Sequence, residues 1–347
     1  MTQPAASLVA AARDLADAFD RGGRLLAVGE GRALTDARHV AVEFLHPVIV
    51  GKRALPAAVG AFRVGPDDVV LGIGYGGSVL TGRVDIALAD HAVPGARLVV
   101  PLPAGDPLAA KEAALVSYHV LWELVHVFLD GGADEGADEG AGSHLDALYP
   151  MIYKQDADTA AATVAAIAST EQKLAETAAL RTASLAANEV QIAAAADCFA
   201  AAETVFTFGN GGSATDAADL AWALGAKGWA LSDDVATVTA LANDVGFDVV
   251  FARQLATLAR PGDAVVALST SGASANIIAG LREAQRLGMA TIGFAGYDGG
   301  EMATAGLDAC CVVGSTSVHR IQESYVTMYD EVVRRAGLAV GSRPSRR

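Results

Sequence analysis

The chain is short of what a disulfide scaffold, a zinc finger or a nucleic-acid-binding domain requires. Three cysteines among 347 residues, two of them adjacent at Cys310 and Cys311, make no disulfide framework and have no zinc-ligand spacing. They read as core fillers. Basic residues are outnumbered, 25 Lys and Arg against 40 Asp and Glu, for a formal charge of −15 at pH 7. Binding to a phosphate backbone runs on Lys and Arg, so no nucleic-acid partner is expected. No apolar run approaches the roughly 18 residues of a membrane span, and no membrane association is expected. The stretch MTQPAASLVAAARDLADAF lacks a basic start, a long apolar run and a small-residue cleavage site, so a cytoplasmic location is expected.

The length suits two domains, each with its own core. The clearest divide is GGADEGADEGAGSHLD (131–146), an acidic, Gly-rich linker with a duplicated GADE unit and almost nothing to bury. On either side, short β-rich apolar runs alternate with Ala-rich amphipathic stretches, the pattern of parallel βαβ units and an α/β fold. Strands are expected at 24–29, 67–74 and 96–103, and again at 204–209, 263–270, 290–296 and 309–314. One or two long helices are expected over 155–200, packed on the sheet or on a neighbouring subunit. The domains are placed at 1–130 and 147–340. Residues 22–44 and 202–224 align without gaps from Gly29 and Gly209, with a TDA tripeptide at the same offset, so the two domains read as diverged copies of one unit.

In an open parallel sheet, ligands sit beyond the carboxyl ends of the strands, where helix N-termini offer free N–H groups and partial positive charge. Two segments of the second half fit that position. Gly209-Asn210-Gly211-Gly212-Ser213 ends one expected strand and opens a helix; its glycines let backbone approach an anion, and Asn210 and Ser213 add side-chain donors. Ser269-Thr270-Ser271-Gly272-Ala273-Ser274 ends another, with four hydroxyls in six residues. That is a poor way to build a core and a good way to hold a phosphate.

These loops, with LANDVGFD (241–248), GYDGGEMA (296–303) and HRIQESY (319–325), resemble the sugar isomerase (SIS) domain, and within it the phosphoheptose isomerase branch, over about residues 145–337. The resemblance implies two flavodoxin-like domains, each a parallel sheet flanked by helices, and a phosphorylated sugar as ligand. It also implies a homo-oligomer, here a dimer of two-domain chains giving a pseudo-tetramer, with sites at subunit interfaces. Carried over position by position, Asn210, Ser213, Ser269, Thr270, Ser271 and Ser274 match phosphate and sugar contacts. Asp244 matches a polar site residue, and Gln322 a residue near a zinc ion.

The catalytic positions depart from the family. Its helix His and Glu and its last-helix His fall at Asp219, Ala223 and Asp330, and an alanine moves no proton. Counted from Gly29, the same offsets reach His39 and Glu43, while KEAALVSYH (111–119) puts Lys111 at the Gln position and His119 at the acid. Conversely, the first domain's hydroxyl loop has become Ile73-Gly74-Tyr75-Gly76-Gly77-Ser78, keeping Ser78 alone, and Glu30 and Ala33 replace Asn210 and Ser213. The complementarity leads to the expectation of a composite site, with the phosphate cradle from the second domain and acid/base residues from the first. In an aldose–ketose isomerisation Glu43 would take the proton from the carbon beside the carbonyl and His119 would protonate the enediol oxygen, with zinc on His39, Glu43 and His119. Lys111 complicates the zinc and offers a substitute positive charge for the enediolate. Alternatives stay open: His39 and Glu43 as an ion pair, His119 as a buried histidine, and the whole chain as a non-catalytic sugar-phosphate- or protein-binding pseudoenzyme. Glucosamine-6-phosphate synthase also joins two such domains, but its glutaminase portion has no counterpart here.

Overall fold

The computed structural model describes residues 3–47, 52–60, 63–130 and 159–338; the expected linker lies outside them. The chain divides into two compact units, Met1–Glu176 and Thr177–Arg347.

In the first unit, β1 (Leu25–Gly29), β2 (Ala57–Val59), β3 (Val69–Gly74), β4 (Ile86–Ala89) and β5 (Leu98–Pro101) form one sheet in the order β2-β1-β3-β4-β5. All pairings are parallel. Every residue of β3 and β4 is buried, as expected of parallel strands covered on both faces. Helices α1 (Gln3–Asp20), α2 (Ala33–Leu45) and α3 (Pro107–Asp130) flank the sheet. Among the described residues α3 alone is long and apolar enough to cross a membrane, over Pro107–Leu129, and 78% of its most apolar window is buried. It is a core helix: Leu115, Leu121, Trp122 and Leu124 have no solvent exposure.

Helix α4 (Thr159–Ala187) crosses the division between the units, and α5 (Glu189–Ala201) follows it. Together they account for the helical content expected over 155–200. In the second unit, β6 (Val205–Gly209), β7 (Gly228–Ala230), β8 (Ala264–Ser269), β9 (Ala290–Gly296) and β10 (Ala309–Val313) form a parallel sheet in the order β10-β9-β8-β6-β7. Between the strands run α6 (Gly212–Ala223), α7 (Val235–Asp244), α8 (Val250–Leu258) and α9 (Ala275–Arg286), and α10 (Val318–Arg335) closes the unit. Phe208 and Phe251 stack at 4.8 Å inside a core shared with Phe206, Leu255 and Ile277. Each such buried side chain contributes about 1.5–3 kcal/mol. The edge strand β10 is capped by side chains. Asn188, at the break between α4 and α5, bonds both N–H and C=O of Val312 at 2.8 and 2.9 Å, and Gln191 accepts from the Cys310 N–H at 2.9 Å. Edge groups that would invite another strand are thereby satisfied. Burial lifts the thiols of Cys310 and Cys311 to about 11 and about 12, in keeping with core fillers.

Numbered within its own unit, each sheet has the order 2-1-3-4-5, the flavodoxin-like arrangement. Duplication extends to fine detail. A Cβ on Gly29 would sit 2.5 Å from the Ala33 carbonyl, and one on Gly209 2.3 Å from the Ser213 carbonyl. Only glycine lets the following helix start so close to the strand end. Strand pairing corrects one alignment: Gly29 pairs with Ile73 as Gly209 pairs with Leu268. The places of Ser269, Thr270 and Ser271 are therefore held by Gly74, Tyr75 and Gly76, one residue away from the spacing read in the sequence. Backbone pairing, rather than loop identity, sets the equivalence.

Candidate functional site

In a sheet of this order the ligand crevice opens between the first and third strands, where connections leave in opposite directions. In the second unit those strands are β6 and β8, and both anion-suited loops leave from them. Gly211, at φ +54°, turns the chain from β6 into α6, and Ser213 is buried in the first turn. From β8 the chain passes Ser269, Thr270 and Ser271, reverses at Gly272 (φ +63°) and enters α9 at Ser274. Ser274 occupies the N-cap position but makes no capping hydrogen bond, so its hydroxyl is not spent on its own helix. Ser269 Oγ accepts from the Gly272 N–H at 3.2 Å, and Ser271 Oγ from the Ala273 N–H at 3.3 Å. Asn210 and Asn276 exchange amide hydrogen bonds at 2.9 and 2.8 Å, clamping the first loop to α9. Asn276 was not singled out by the sequence; its signal was an amide side chain in the first turn after the serines.

The hydroxyl loop is braced from behind by the turn after β9. Gly296 N–H donates to Thr270 O at 3.0 Å and Met302 N–H to Gly272 O at 2.9 Å. A Cβ on Gly272 would lie 2.1 Å from Gly299 O, so the two backbones touch. A cleft of about 820 Å³ adjoins the loop, lined by Ser271, Tyr297, Asp298, Gly314, Ser315 and Thr316.

Of the other expected residues, Gln322 lies buried on α10 and donates to Asp216 on α6 at 3.4 Å. Nearby, Tyr325 is wholly buried, and burial together with the Asp216 charge pushes its phenol well above the usual range. Asp244 ends α7 in solvent, and its described hydrogen bond comes from its neighbour Asn243 rather than from the cradle. Asp219, at the family His position, accepts from the Tyr329 hydroxyl at 2.6 Å.

In the first unit, the equivalent helices α2 and α3 bring His39, Glu43 and His119 together. His39 Nε2 is 3.5 Å from Glu43 Oε1, and the His39 and His119 rings lie 5.2 Å apart. The side chains are buried, with 1%, 2% and 0% of each residue exposed. Lys111 Nζ sits 2.5 Å from Asp36 Oδ1, and Tyr75 and Tyr118 hydroxyls donate to the same carboxylate at 2.6 and 3.2 Å. The Lys111–Asp36 contact parallels Gln322–Asp216 and supports that alignment. It also answers Lys111's charge with Asp36, so the ammonium is not a bare substitute for a metal. Among the described residues no group of three His, Cys, Asp or Glu side chains is arranged to hold a metal ion, so His39, Glu43 and His119 do not fit the expected zinc.

Residues 172–296 match the SIS domain family. Over 129 residues the chain is 44% identical to phosphoheptose isomerase of Roseiflexus sp. (strain RS-1), covering 35% of this chain and 65% of that protein. Over 140 residues it is 41% identical to phosphoheptose isomerase of Campylobacter concisus, covering 38% of this chain and 74% of that one. The solved C-terminal domain of glucosamine-fructose-6-phosphate aminotransferase from Francisella tularensis matches 99% of this chain at a TM-score of 0.60 and 12% identity, which shows a shared fold. With its loops at the sheet's switch point and relatives of this similarity, the chain belongs to the SIS domain family, among relatives of the phosphoheptose isomerases.

Proposed function

We propose that the chain is an aldose–ketose isomerase for a sugar phosphate of the sedoheptulose 7-phosphate class. Ser269, Thr270, Ser271 and Ser274 hold the phosphate, with Asn210 and Ser213 beside it. The observation that carries this reading is the pair of glycine-turned, hydroxyl-rich loops side by side at the switch point of the second sheet. A chain of net charge −15 repels an anionic substrate at long range, so capture rests on these local donors and the α9 N-terminus.

Isomerisation needs a base to take the proton from the carbon beside the carbonyl and an acid to protonate the enediol oxygen, each adding about 10²–10⁴ in rate. Glu43 is assigned the base and His119 the acid, with His39 positioning Glu43. No step is assigned to zinc. The chain works as a homo-oligomer in this reading; support comes from α7, which has no buried residue and leaves Val235 exposed, with Val245 and Phe247 exposed just beyond it.

Burial of His39, Glu43 and His119, with Ala223 at the family's Glu position, favours a second reading, a sugar-phosphate-binding protein without turnover. Incubation with sedoheptulose 7-phosphate, followed by NMR beside the Glu43→Ala variant, separates the two. Turnover lost in the variant supports the isomerase. Saturable binding with no turnover in either protein supports the binding protein.

A further inference from the structure

We propose that Tyr297 and Asp298 form a subsite for the unphosphorylated end of the sugar chain and select against a second phosphate. The inference rests on the reading that the hydroxyl loop holds the phosphate. Ser271 belongs to both that loop and the cleft, so a ligand anchored at the loop extends into the space that Tyr297, Asp298 and Thr316 line.

Tyr297 is the one non-glycine residue with positive φ, +54°, among the described residues. A bulky side chain in this conformation is strained, and such strain persists only where the surroundings enforce it. Here they do: Tyr297 N–H donates to Ser315 O at 3.2 Å, while the flanking Gly296 is tied to Thr270 O and itself accepts from Gly299 N–H. The residue nonetheless remains 41% exposed, so its ring is held at the cleft rather than packed into the core. A rigid aromatic face beside a phosphate cradle suits the C–H face of a sugar chain.

Asp298 supplies the polar half. One carboxylate oxygen accepts from Gly300 N–H at 3.1 Å and fixes the turn. Its second oxygen accepts no hydrogen bond from the described residues, and Thr316 is a further lining residue that carries a hydroxyl. No Lys or Arg is among the six lining residues. Such a lining accepts hydrogen bonds from sugar hydroxyls and repels a second phosphate.

The test is calorimetric titration of the full chain with inorganic phosphate, sedoheptulose 7-phosphate, fructose 6-phosphate and fructose 1,6-bisphosphate. Tyr297→Gly removes the ring and the backbone strain together, so the variant is expected to melt no lower than the parent. It should weaken sedoheptulose 7-phosphate by about five- to tenfold while changing inorganic phosphate by less than about twofold. Asp298→Asn keeps the acceptor for Gly300 N–H and should narrow the preference for fructose 6-phosphate over the bisphosphate by about fivefold or more. Equal losses for sugar phosphate and inorganic phosphate in Tyr297→Gly, or no loss for either, overturn the inference. If Ser271→Ala also leaves inorganic phosphate binding unchanged, the cradle reading has failed and the subsite falls with it. If Ser271→Ala weakens phosphate but Tyr297→Gly does not discriminate, the subsite alone is wrong.

Discussion

Replacing Gly272 with alanine tests how the phosphate loop is built. Two costs are separable. An L side chain at φ +63° costs about 1 kcal/mol. The new Cβ would also stand 2.1 Å from Gly299 O, where ordinary contact begins at 3.4 Å, so the two turns must part by more than an ångström. The Met302 N–H bond to Gly272 O spans that seam and would be stretched. Overpacking of this kind costs about 1–3 kcal/mol, for a total of about 2–4. Gly288→Ala provides the control, because Gly288 also has a positive φ, +72°, just past the end of α9, but has nothing within 4 Å of its Cβ. For a unit of this size, each kcal/mol moves the melting temperature by about 2–4 °C. Scanning calorimetry should therefore show the second unit's transition lowered by about 5–15 °C in Gly272→Ala and by about 2–4 °C in Gly288→Ala. Equal shifts would refute the claim that the β9 turn braces the hydroxyl loop.

Other outcomes follow from the charges. Asp68 accepts from the Arg24 side chain and from the Gly65 and Arg24 N–H groups; the Arg24 hydrogen bond foremost holds its carboxyl well below the usual range. A depressed folded value means that the stabilisation is full above about pH 4 and is lost as pH falls through the folded value, so Asp68→Asn should flatten acid unfolding of the first unit below pH 4 and cost about 2 kcal/mol at pH 7. Lys111→Met strands the buried Asp36 carboxylate and should cost about 3–5 kcal/mol by urea unfolding, with part regained in the Lys111→Met/Asp36→Asn double variant. With a net charge of −15, added salt should speed sugar-phosphate association in stopped flow, contrary to a positively steered site, where it slows.

Much of this was legible in the sequence. Long apolar runs such as 204–209 and 263–270 announced β6 and β8, and the glycines and serines after them announced the turns. The short strands β2, β4 and β7 were not foreseen, because three or four residues such as GWA carry no usable period; Gly228 is needed because its Cβ would stand 2.0 Å from Ala221 O. Offsets counted from Gly29 reached His39 and Glu43, and the match of KEAALVSYH reached His119, but burial is a tertiary property that spacing does not report. The Asp36 partner of Lys111 was invisible for the same reason, since the two are far apart in the chain. Tyr297 stands within GYDGGEMA, yet its positive φ goes with the packing of Gly299 and Gly300 against the serine loop and not with its own residue type.

The most direct test of the central claim, that the second unit's hydroxyl loop is a sugar-phosphate site, is calorimetric titration of the parent chain and of Ser271→Ala with sedoheptulose 7-phosphate. A hydrogen bond to a charged group contributes about 1.5–3 kcal/mol, so the variant should bind about tenfold or more weakly. Saturable binding in the parent, weakened to that extent by loss of one hydroxyl, is the predicted result. Absence of binding in the parent, or equal affinity in both, would contradict it.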